Sequence, residues 1–518
     1  MNKTRILWAD DEIVMLKPHI IFLEEKGFEV IAVNSGGEAL ELVREENFDI
    51  IFLDEQMPGL SGIEVLEKIK EIQPNLPVVM ITKSEEESIM EDAIGSNIAD
   101  YLIKPVKPSQ ILLSLKRNLE NKKLTSEKAS QIYQQEFRGI SMKLQEQLSY
   151  DEWVDVYRKL VRWDIELEKS DDVGISEVLK MQINEANTGF AKFYERNYAD
   201  WLYGNSAEKP VLSHTLIKKK IFPRLDEGNK VFLLVIDNLR YDQWKIIEPM
   251  IGEYFHVDED DLYYAILPTT TQYARNALFA GMMPLEIRKR FPRLWKDEHE
   301  EGTKNQAEAE LMGEQLKRYG KKIKYSYNKI LRQEEGRKLV EGISNLMEYD
   351  LNVIVYNFVD MLSHARTEME IIRELADDEP AYRSLMKSWF EHSSLFEIIK
   401  YLSDKHVKVM ITTDHGSIKV QRAVKVVGDR NVNTNLRYKF GKSLNYNTKE
   451  VFEMKDPEKF FLPRQNVSTR WIFTRGTDFF AYPNNYNYYA RYYSNTFQHG
   501  GISMQEIMIP IITLSSKG

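Results

Sequence analysis

Short apolar runs that end in aspartate constrain the fold of this chain more than any other feature. Four occur, namely RILWADDE (5–12), DIIFLDE (49–55), VFLLVIDNLRYD (231–242) and VMITTDHGS (409–417). Each run has the length and composition of a buried strand. Because parallel strands gather ligands at their carboxyl ends, we expect α/β sheets with polar sites where these runs stop.

In residues 1–120 the spacing of apolar residues alternates between that of strands and that of helices. Amphipathic stretches with helical spacing separate short apolar runs, and a closing helix is expected at 108–120. Strands that alternate with helices imply a doubly wound parallel sheet. The five predicted strands are 5–9, 28–33, 48–53, 77–81 and 100–103.

The rest of the chain predicts two further domains, since 518 residues exceed one ordinary core. Residues 121–207 have helical spacing and few turn signals, which indicates a helical bundle or connector whose aromatics form its core. In residues 208–518 strand patterns again alternate with helix patterns, which predicts a large α/β domain. Its clearest strands are 230–236, 351–359 and 407–412, and the Asn- and Tyr-rich segment 434–497 is expected to be an insertion over its surface.

Composition excludes several classes of protein. The chain has no cysteine, which rules out disulfides, thiolate metal sites and a cysteine nucleophile. The net charge of -10 argues against broad nonspecific nucleic-acid binding. Charged residues occur too close to the first residue for a signal peptide. No stretch approaches the ~18 consecutive apolar residues that a membrane span needs. We therefore expect a cytoplasmic protein without a membrane span.

Polar residues follow four of the first five predicted strands. Asp10 and Asp11 end the first, Asp54 the third and Thr82 the fourth, and Lys104 follows the fifth. Three carboxylates at one edge of a sheet suit Mg²⁺. A lysine there would hold a phosphoryl oxygen.

These residues resemble the receiver domain of two-component response regulators, through ADDE, LDEQMPGLSG, VVMITK and ADYLIKPV. The resemblance implies that Asp54 is the phosphoacceptor. It also implies Mg²⁺ ligands from Asp54, Asp11 and the Gln56 carbonyl with Asp10 nearby, a switch pair of Thr82 and Tyr101, and a phosphate ligand in Lys104.

A second constellation of three aspartates and three histidines occupies the third domain. Asp360 and His364 are spaced to share one face of a helix, and His499 precedes two glycines. Nitrogen and carboxylate ligands without sulfur suit Zn²⁺ or Mn²⁺. Six ligands suit two ions about 3.5–4 Å apart, an arrangement that promotes phosphoryl transfer. The remaining members are Asp237, Asp414 and His415.

A candidate nucleophile lies in ILPTTTQYARNALFAGMMP, residues 266–284. Thr271 is placed to begin a helix, where backbone N–H groups favour anions, and metal coordination can activate its hydroxyl. The alternative is that Thr269, Thr270 and Thr271 only cap the helix.

The order of these motifs resembles the alkaline phosphatase superfamily and its PglZ-type branch, through VIDNLRYD, PTTTQYARNALFAG, DMLSH, TTDHG and HGGISMQEIMIP. The resemblance implies one Zn²⁺ on Asp360, His364 and His499. It implies a second on Asp237, Asp414 and His415 with Thr271. Threonine at the nucleophile position favours phosphate over sulfate chemistry. From position alone, Arg275 and Asn276 are candidate substrate contacts.

A receiver joined through helices to a PglZ domain resembles the PorX group of Bacteroidetes response regulators. That resemblance implies a cognate sensor histidine kinase and a role in type IX secretion. It also implies a sigma factor and components of the secretion system as partners.

The sequence therefore predicts a response regulator whose phosphorylation controls a di-zinc phosphodiesterase acting on nucleotides or short oligonucleotides, linear or cyclic. The alternative is a signalling adaptor whose metal domain binds a partner with little turnover. A DNA-binding regulator is less favoured, since no basic recognition segment occurs. The aromatics of 471–497 fit base stacking and core packing equally well.

Phosphorylation of Asp54 is also expected to produce a homodimer. The predicted face consists of helices at about 85–95 and 108–120. It includes SEEES (84–88), Lys107, Lys116 and Arg117, whose opposite charges suit a self-complementary contact. The alternative is that these charges form a solvated helical face.

Overall fold

The computed structural model of the protein describes residues 4–83, 98–168, 173–204, 208–369, 376, 378–428 and 432–517. Contacts divide the chain into two compact units, Met1–Ile132 and Tyr133–Gly518. Each unit has its own sheets and its own apolar core.

The first unit is built on a parallel sheet. Its strands are β1 (Arg5–Ala9), β2 (Glu29–Val33), β3 (Ile50–Asp54), β4 (Val78–Thr82) and β5 (Asp100–Ile103), in the order β2-β1-β3-β4-β5. Every neighbouring pair is parallel. The helices that precede residue 83 are α1 (Lys17–Glu25), α2 (Gly36–Glu45) and α3 (Gly62–Ile72). The predicted doubly wound five-stranded sheet is confirmed.

Both faces of this sheet are covered by apolar side chains, because successive residues of a strand face opposite sides. Leu7 and Leu53 pack with residues of α2 and α3. Trp8 and Phe52 pack on the other face with Leu23 of α1. The near-continuous apolar character of the strands follows from this burial on both sides.

The helix that closes the first unit is longer than predicted. It is α4 (Pro108–Leu144), which begins where the sequence placed it but continues well beyond residue 120. The predicted helix at 85–95 and the SEEES segment lie outside the described residues, as does the side chain of Lys116.

The helical segment that follows belongs by its contacts to the second unit. It contains α5 (Tyr150–Glu168) and α6 (Val173–Tyr203). Trp153 packs edge-on against Phe190, with ring centroids 5.6 Å apart, and Phe190 packs in turn against Tyr264 of the large α/β region. The expectation that the aromatics of this segment form a core agrees with their burial.

The second unit contains one large sheet and several small ones. The strands are β6 (Val231–Ile236), β7 (Phe255–Tyr264), β8 (Tyr325–Ile330), β9 (Leu351–Tyr356), β10 (Lys408–Thr412), β11 (Ile418–Lys419), β12 (Arg422–Val427), β13 (Tyr438–Gly441), β14 (Asn445–Tyr446), β15 (Phe452–Met454), β16 (Arg470–Phe473), β17 (Asp478–Ala481), β18 (Phe497–Gln498) and β19 (Met508–Ser516). The large sheet has the order β7-β19-β10-β6-β9-β8. Strands β10, β6, β9 and β8 are parallel, so the ends of β10, β6 and β9 meet at one edge.

Helices cover this sheet and link its strands. They are α7 (Phe222–Asp226), α8 (Tyr241–Gly252), α9 (Asn276–Ala280), α10 (Pro284–Arg290), α11 (Glu308–Arg318), α12 (Gln333–Glu341), α13 (Phe358–Glu368), α14 (Glu379–Glu391), α15 (Ser394–Leu402), α16 (Tyr486–Tyr493) and α17 (Met504–Ile507). Across the described ranges, no helix is both long enough and apolar enough to cross a bilayer.

The segment 434–497 is more regular than its sequence indicates. It contributes β13 to β17, which form parts of two three-stranded sheets, and it adds α16. Its strands have two to four residues, which is too short for a periodic signal. Trp471, Phe473 and Phe480 are core residues, whereas Tyr488 and Tyr489 of α16 are exposed.

Candidate functional site

Three carboxylates meet at the ends of β1 and β3 in the first unit. One oxygen of each of Asp10, Asp11 and Asp54 lies within 4.8 Å of the others. Lys104 Nζ is 2.9 Å from Asp10 Oδ2 and 2.8 Å from Asp54 Oδ1. Burial, aided by Asp10 and Asp11, raises the pKa of Asp54 to about 6, although Lys104 acts in the opposite direction. This oxygen-rich group with one adjacent cation has the composition of a Mg²⁺ and phosphoryl site.

The other residues predicted for this site surround the three carboxylates. Thr82 ends β4, and its hydroxyl donates to the carboxylate of Glu55, the residue after Asp54. Tyr101 in β5 is partly buried against the core. Gln56 is exposed two residues after Asp54. The roles of Thr82 and Tyr101 as a switch pair and of Gln56 as a Mg²⁺ ligand stay predictions.

The second unit brings its predicted ligands together at the edge where β10, β6 and β9 end. Asp237 follows β6, Asp414 and His415 follow β10, and Asp360 lies in the first turn of α13 after β9. His499 follows β18, which pairs with β11. Three loops and the first turn of α13, from distant parts of the sequence, therefore converge on one buried site.

The ligand atoms form two overlapping groups. One oxygen or nitrogen atom from each of Asp237, Asp414 and His415 lies within 4.8 Å of the others, and the same holds for Asp360, His415 and His499. The rings of His415 and His499 stack with centroids 4.3 Å apart. His415 stands between the groups.

His364 is placed at the rim of this site. Its side chain is 59% exposed, whereas that of Asp360 is 16% exposed. Its Nε2 is 3.4 Å from Asp360 Oδ2, and its ring packs edge-on to that of His499 at 5.8 Å. It is thus adjacent to the predicted ligands without joining either tight group, and its role as a ligand stays a prediction.

Thr271 directs its hydroxyl at the first group. It begins a π-helical turn, Thr271–Arg275, that leads into α9. Its Oγ1 is 3.2 Å from His415 Nε2 and 3.4 Å from Asp237 Oδ1. The adjacent threonines differ, because Thr269 is fully buried and Thr270 nearly so. A hydroxyl in contact with two candidate ligands, with its residue partly exposed, has the position of a nucleophile.

Burial controls the electrostatics of the site. It raises the pKa of Asp237 well above the usual range, with Asp414 and Asp360 adding to the effect and Arg275 opposing it. Burial would also raise the pKa of Asp360, but His364 and His499 outweigh it and lower that pKa. Burial lowers the pKa of His499 to about 3, which keeps its imidazole in the neutral form that binds metals.

Arg275 and Asn276 occupy different surroundings from those expected of substrate contacts. Arg275 is fully buried, with Nη1 3.1 Å from Asp237 Oδ2 and Nε 2.9 Å from Glu308 Oε1. Asn276 is also buried and donates to the carbonyl oxygens of Gln272 and Lys304. Arg275 therefore offsets the negative charge of the candidate ligand Asp237. The predicted contact of Arg275 or Asn276 with substrate stays a prediction.

Two supports of the His499 loop were missed by sequence reasoning. Thr269 Oγ1 donates to the Gly501 carbonyl and accepts from the Gly500 amide, at 3.1 and 2.9 Å. Glu506 accepts from the Gly501 amide and forms a fully buried ion pair with Arg437 at 2.6 Å. The threonine triplet and the MQE segment after the glycines carried some signal, but no spacing rule links them to Arg437.

The residues present fit two divalent cations. Asp414 Oδ2 is buried, and within the described ranges it has no hydrogen-bond partner. Arg275 Nε and His415 Nε2 both lie 3.7 Å from it. A buried carboxylate oxygen without such a partner is costly, and a cation would satisfy it. Imidazole and carboxylate ligands without sulfur suit Zn²⁺ or Mn²⁺.

Comparison with known families identifies all three parts of the chain. A model described as the BREX system PglZ alkaline phosphatase-like domain matches residues 216–514. This match spans more than half of the chain and contains every candidate ligand of the site in the second unit. The chain belongs to the PglZ alkaline phosphatase-like family. A response regulator receiver domain matches residues 6–116, and the PorX response regulator linker domain matches 123–202. This order of domains is the PorX-like architecture.

Individual relatives match through the receiver part. The alginate biosynthesis transcriptional regulatory protein AlgB of Pseudomonas syringae is 34% identical over 125 residues, which is 24% of this chain and 28% of that protein. The transcriptional regulatory protein ResD of Bacillus subtilis is also 34% identical over 125 residues, 24% of this chain and 52% of its own length. The match thus spans between about a quarter and half of these relatives.

A CheY-like receiver domain structure from Methanospirillum hungatei is 28% identical. It covers 23% of this chain and 96% of its own, with a TM-score of 0.23.

Proposed function

We propose that this PglZ-family response regulator is a di-zinc phosphodiesterase whose turnover is controlled by phosphorylation of Asp54. The observation that supports hydrolysis most strongly is the placement of Thr271. Its hydroxyl contacts both Asp237 and His415, which belong to the buried cluster of candidate ligands. A partner-binding adaptor with little turnover would not need a hydroxyl at this position.

Each residue of the cluster has a distinct task in this proposal. Asp237, Asp414 and His415 would hold one Zn²⁺, and Asp360, His499 and the adjacent His364 the other. When bound, the two ions supply charge stabilisation for phosphoryl oxygens and lower the pKa of a coordinated hydroxyl. Thr271 Oγ1 forms a bond to phosphorus while the ester bond to the leaving group breaks, and water then hydrolyses the phosphothreonine.

The proposed substrates are nucleotides or short oligonucleotides, linear or cyclic. The exposed rings of Tyr488 and Tyr489 on α16 support this class, because every base can stack on an aromatic ring. This helix precedes β18, the strand that leads into His499.

The receiver domain implies a cognate histidine kinase as its partner. Beyond this, the PorX-like architecture supports four further proposals. They are a cytoplasmic location, a role in type IX secretion, contacts with a sigma factor or secretion components, and a phosphorylation-dependent homodimer.

Hydrolysis of bis-p-nitrophenyl phosphate, compared with the monoester p-nitrophenyl phosphate, tests the reaction directly. We expect the zinc-loaded wild type to prefer the diester. Thr271→Ala should reduce its rate by roughly 10³-fold or more, since loss of a nucleophile removes the covalent step. Thr271→Ser should retain part of the rate. The neighbouring Thr270→Ala is the matched control and should stay near wild type.

Zinc content separates loss of chemistry from loss of the site. Elemental analysis of wild type is expected to approach two zinc ions per chain, and Thr271→Ala should retain them. A zinc-free wild type whose activity ignores chelators would refute the di-zinc proposal. A Thr271→Ala variant with undiminished turnover would refute the nucleophile.

A further inference from the structure

A buried arginine, Arg240, lies next to three of the four segments that carry candidate metal ligands. It lies three residues after Asp237, and it is 2% exposed. A Cβ added at Gly416, next to His415, would be 3.5 Å from Arg240 Cγ. The Arg240 guanidinium lies 5.0 Å from the ring centroid of Phe497, two residues before His499. Arg240 therefore belongs to the segment of Asp237, packs on the segment of His499 through Phe497, and lies close to the segment of His415 at Gly416.

Tyr382 connects Arg240 to the fourth segment, which carries Asp360. The ring of Tyr382 lies 5.7 Å from the Arg240 guanidinium and stacks on Phe497 at 4.2 Å. Its hydroxyl donates to the carbonyl oxygen of Val359, the residue before Asp360, at 3.3 Å. Arg240 is thus connected, directly or through Tyr382, to all four segments that carry candidate ligands.

Arg240 also begins a chain of ion pairs that ends on helix α5. Its Nη2 is 2.6 Å from Asp242 Oδ2 and 2.5 Å from Glu379 Oε2. Asp242 Oδ2 is shared with Arg383 Nη1 at 3.1 Å. Because both arginines and Asp242 are buried, each depends on its partners for its charge to be tolerated.

The far end of the chain lies on α5, within the segment matched by the PorX linker model. Arg383 Nη1 is 2.6 Å from Asp164 Oδ2, and Nη2 is 2.8 Å from Glu168 Oε2. The carboxylate side chains here are 31% and 30% exposed, in contrast to the buried middle of the chain.

A cavity of about 910 Å³ borders this ion chain. Its lining includes Asp164, Glu168, Arg240, Asp242 and Arg383. Both arginines border this cavity, and their partners Glu379, Asp164 and Glu168 have side chains that are between 30% and 32% exposed. The ion chain thus has partly exposed carboxylates at both ends and the buried Asp242 in its middle.

We propose that Arg240 is a positioning residue for the metal ligands, and that the chain Arg240–Asp242–Arg383 couples α5 to the metal centre. This inference deepens the proposed function by naming how the linker regulates the hydrolytic site, and its regulatory half rests on that proposal. A shift of α5 would change the ion pairs of Arg383 with Asp164 and Glu168. Because Arg383 and Arg240 share the carboxylate of Asp242, the ion pair between Asp242 and Arg240 would change in turn. The four segments that carry the candidate ligands would then move relative to one another.

Zinc affinity, measured by competition with a chromophoric chelator, tests the positioning role without relying on turnover. We expect Arg240→Met to weaken zinc binding by about 10- to 100-fold, as loss of an outer-shell partner does. Arg240→Lys keeps the charge but not the forked geometry, so its affinity should be intermediate. Unchanged affinity in folded Arg240→Met overturns this role. If that variant does not fold, an unchanged affinity in Arg240→Lys overturns it.

The coupling role is tested on α5 with the double variant Asp164→Asn, Glu168→Gln. We expect its zinc affinity to stay within about twofold of wild type, while the ratio of hydrolysis rates with and without BeF₃⁻ falls towards one. Glu166→Gln, an exposed carboxylate on the same helix, is the matched control and should keep the wild-type ratio.

The outcomes distinguish the coupling from the proposed function. If the wild type hydrolyses no diester, the proposed function fails, and the effect of BeF₃⁻ on zinc affinity becomes the readout of coupling. The double variant should then lose that effect. A wild-type response that survives in the double variant overturns the coupling, and so does a wild type in which BeF₃⁻ changes neither rate nor zinc affinity.

Discussion

The two candidate sites occupy equivalent places in their sheets but differ in chemistry. In both, aspartates follow parallel strands and meet at the carboxyl edge. The first site offers oxygen ligands, includes the exposed Asp11, and has part of its negative charge offset by Lys104. The second combines carboxylates with the imidazoles of His415 and His499, and its tight groups are largely buried.

This difference predicts different lifetimes for the ions that the two sites would hold. An exposed oxygen site suits Mg²⁺, which keeps water ligands and exchanges readily. A buried site with imidazole ligands suits a resident zinc ion. One type of sheet edge would thus hold an exchangeable ion in the first unit and a resident ion in the second. Four predictions test this contrast.

The largest expected effect is complete loss of receiver modification in Asp54→Ala. Of the three carboxylates, Asp54 ends the central strand β3, and Lys104 Nζ lies 2.8 Å from it. We expect no uptake of phosphoryl group from acetyl phosphate in Mg²⁺, measured by intact-protein mass spectrometry. Glu55→Gln, which changes the adjacent carboxylate, should still be modified. Stoichiometric phosphorylation of Asp54→Ala would show that another residue is the acceptor.

Chelation of zinc should destabilise the second unit and leave the first unchanged. Removal of a ligand present at ~1,000 times its Kd costs about 4 kcal/mol of folding free energy. Differential scanning calorimetry with and without 1,10-phenanthroline should therefore show a fall in the melting temperature of the second unit. The transition of the first unit, assigned by its response to Mg²⁺ and BeF₃⁻, should not move. Equal shifts in both transitions would contradict the contrast between the sites.

Alanine at one glycine beside each site should destabilise only the unit that contains it. A Cβ at Gly62 would lie 2.3 Å from the Asp54 carbonyl oxygen, and one at Gly416 would lie 2.0 Å from the Gln505 carbonyl oxygen. Because backbone atoms cannot move aside cheaply, we expect each change to cost about 1–3 kcal/mol. Gly37→Ala, where a Cβ meets no atom within 4 Å, is the matched control. Denaturant unfolding of the three variants measures the difference.

The smallest expected effect is a pH-dependent gain in stability for Asp54→Asn in Mg²⁺-free buffer. Burial raises the pKa of Asp54 to about 6, so its charged form destabilises the folded state. This cost is present in full above pH 6 and disappears as pH falls towards the ordinary value of about 3.9. Asparagine should therefore stabilise the first unit by roughly 1–2 kcal/mol at pH 7.5, with little gain near pH 4. A gain that is independent of pH would assign the effect to packing.

The sequence by itself determined the five strands of the first unit, three central strands of the second, the residue types at their ends and the candidate nucleophile. Buried strands such as 231–236 and 408–412 are recognisable because their apolar character is local and continuous. The aspartates that follow these strands could be predicted to lie close together, because the ends of neighbouring parallel strands meet at one edge of a sheet. His499 was identified from its glycines and from the family resemblance.

Only the tertiary structure decided what lies behind and around those residues. It buried Arg275 against Asp237 and left His364 at the rim. It also joined Arg240 through Arg383 to Asp164, residues that are separated by up to about 220 positions in the sequence. Ion pairs of this kind have no period and no fixed spacing. They exist because the fold places distant helices side by side and a buried charge must find a partner there.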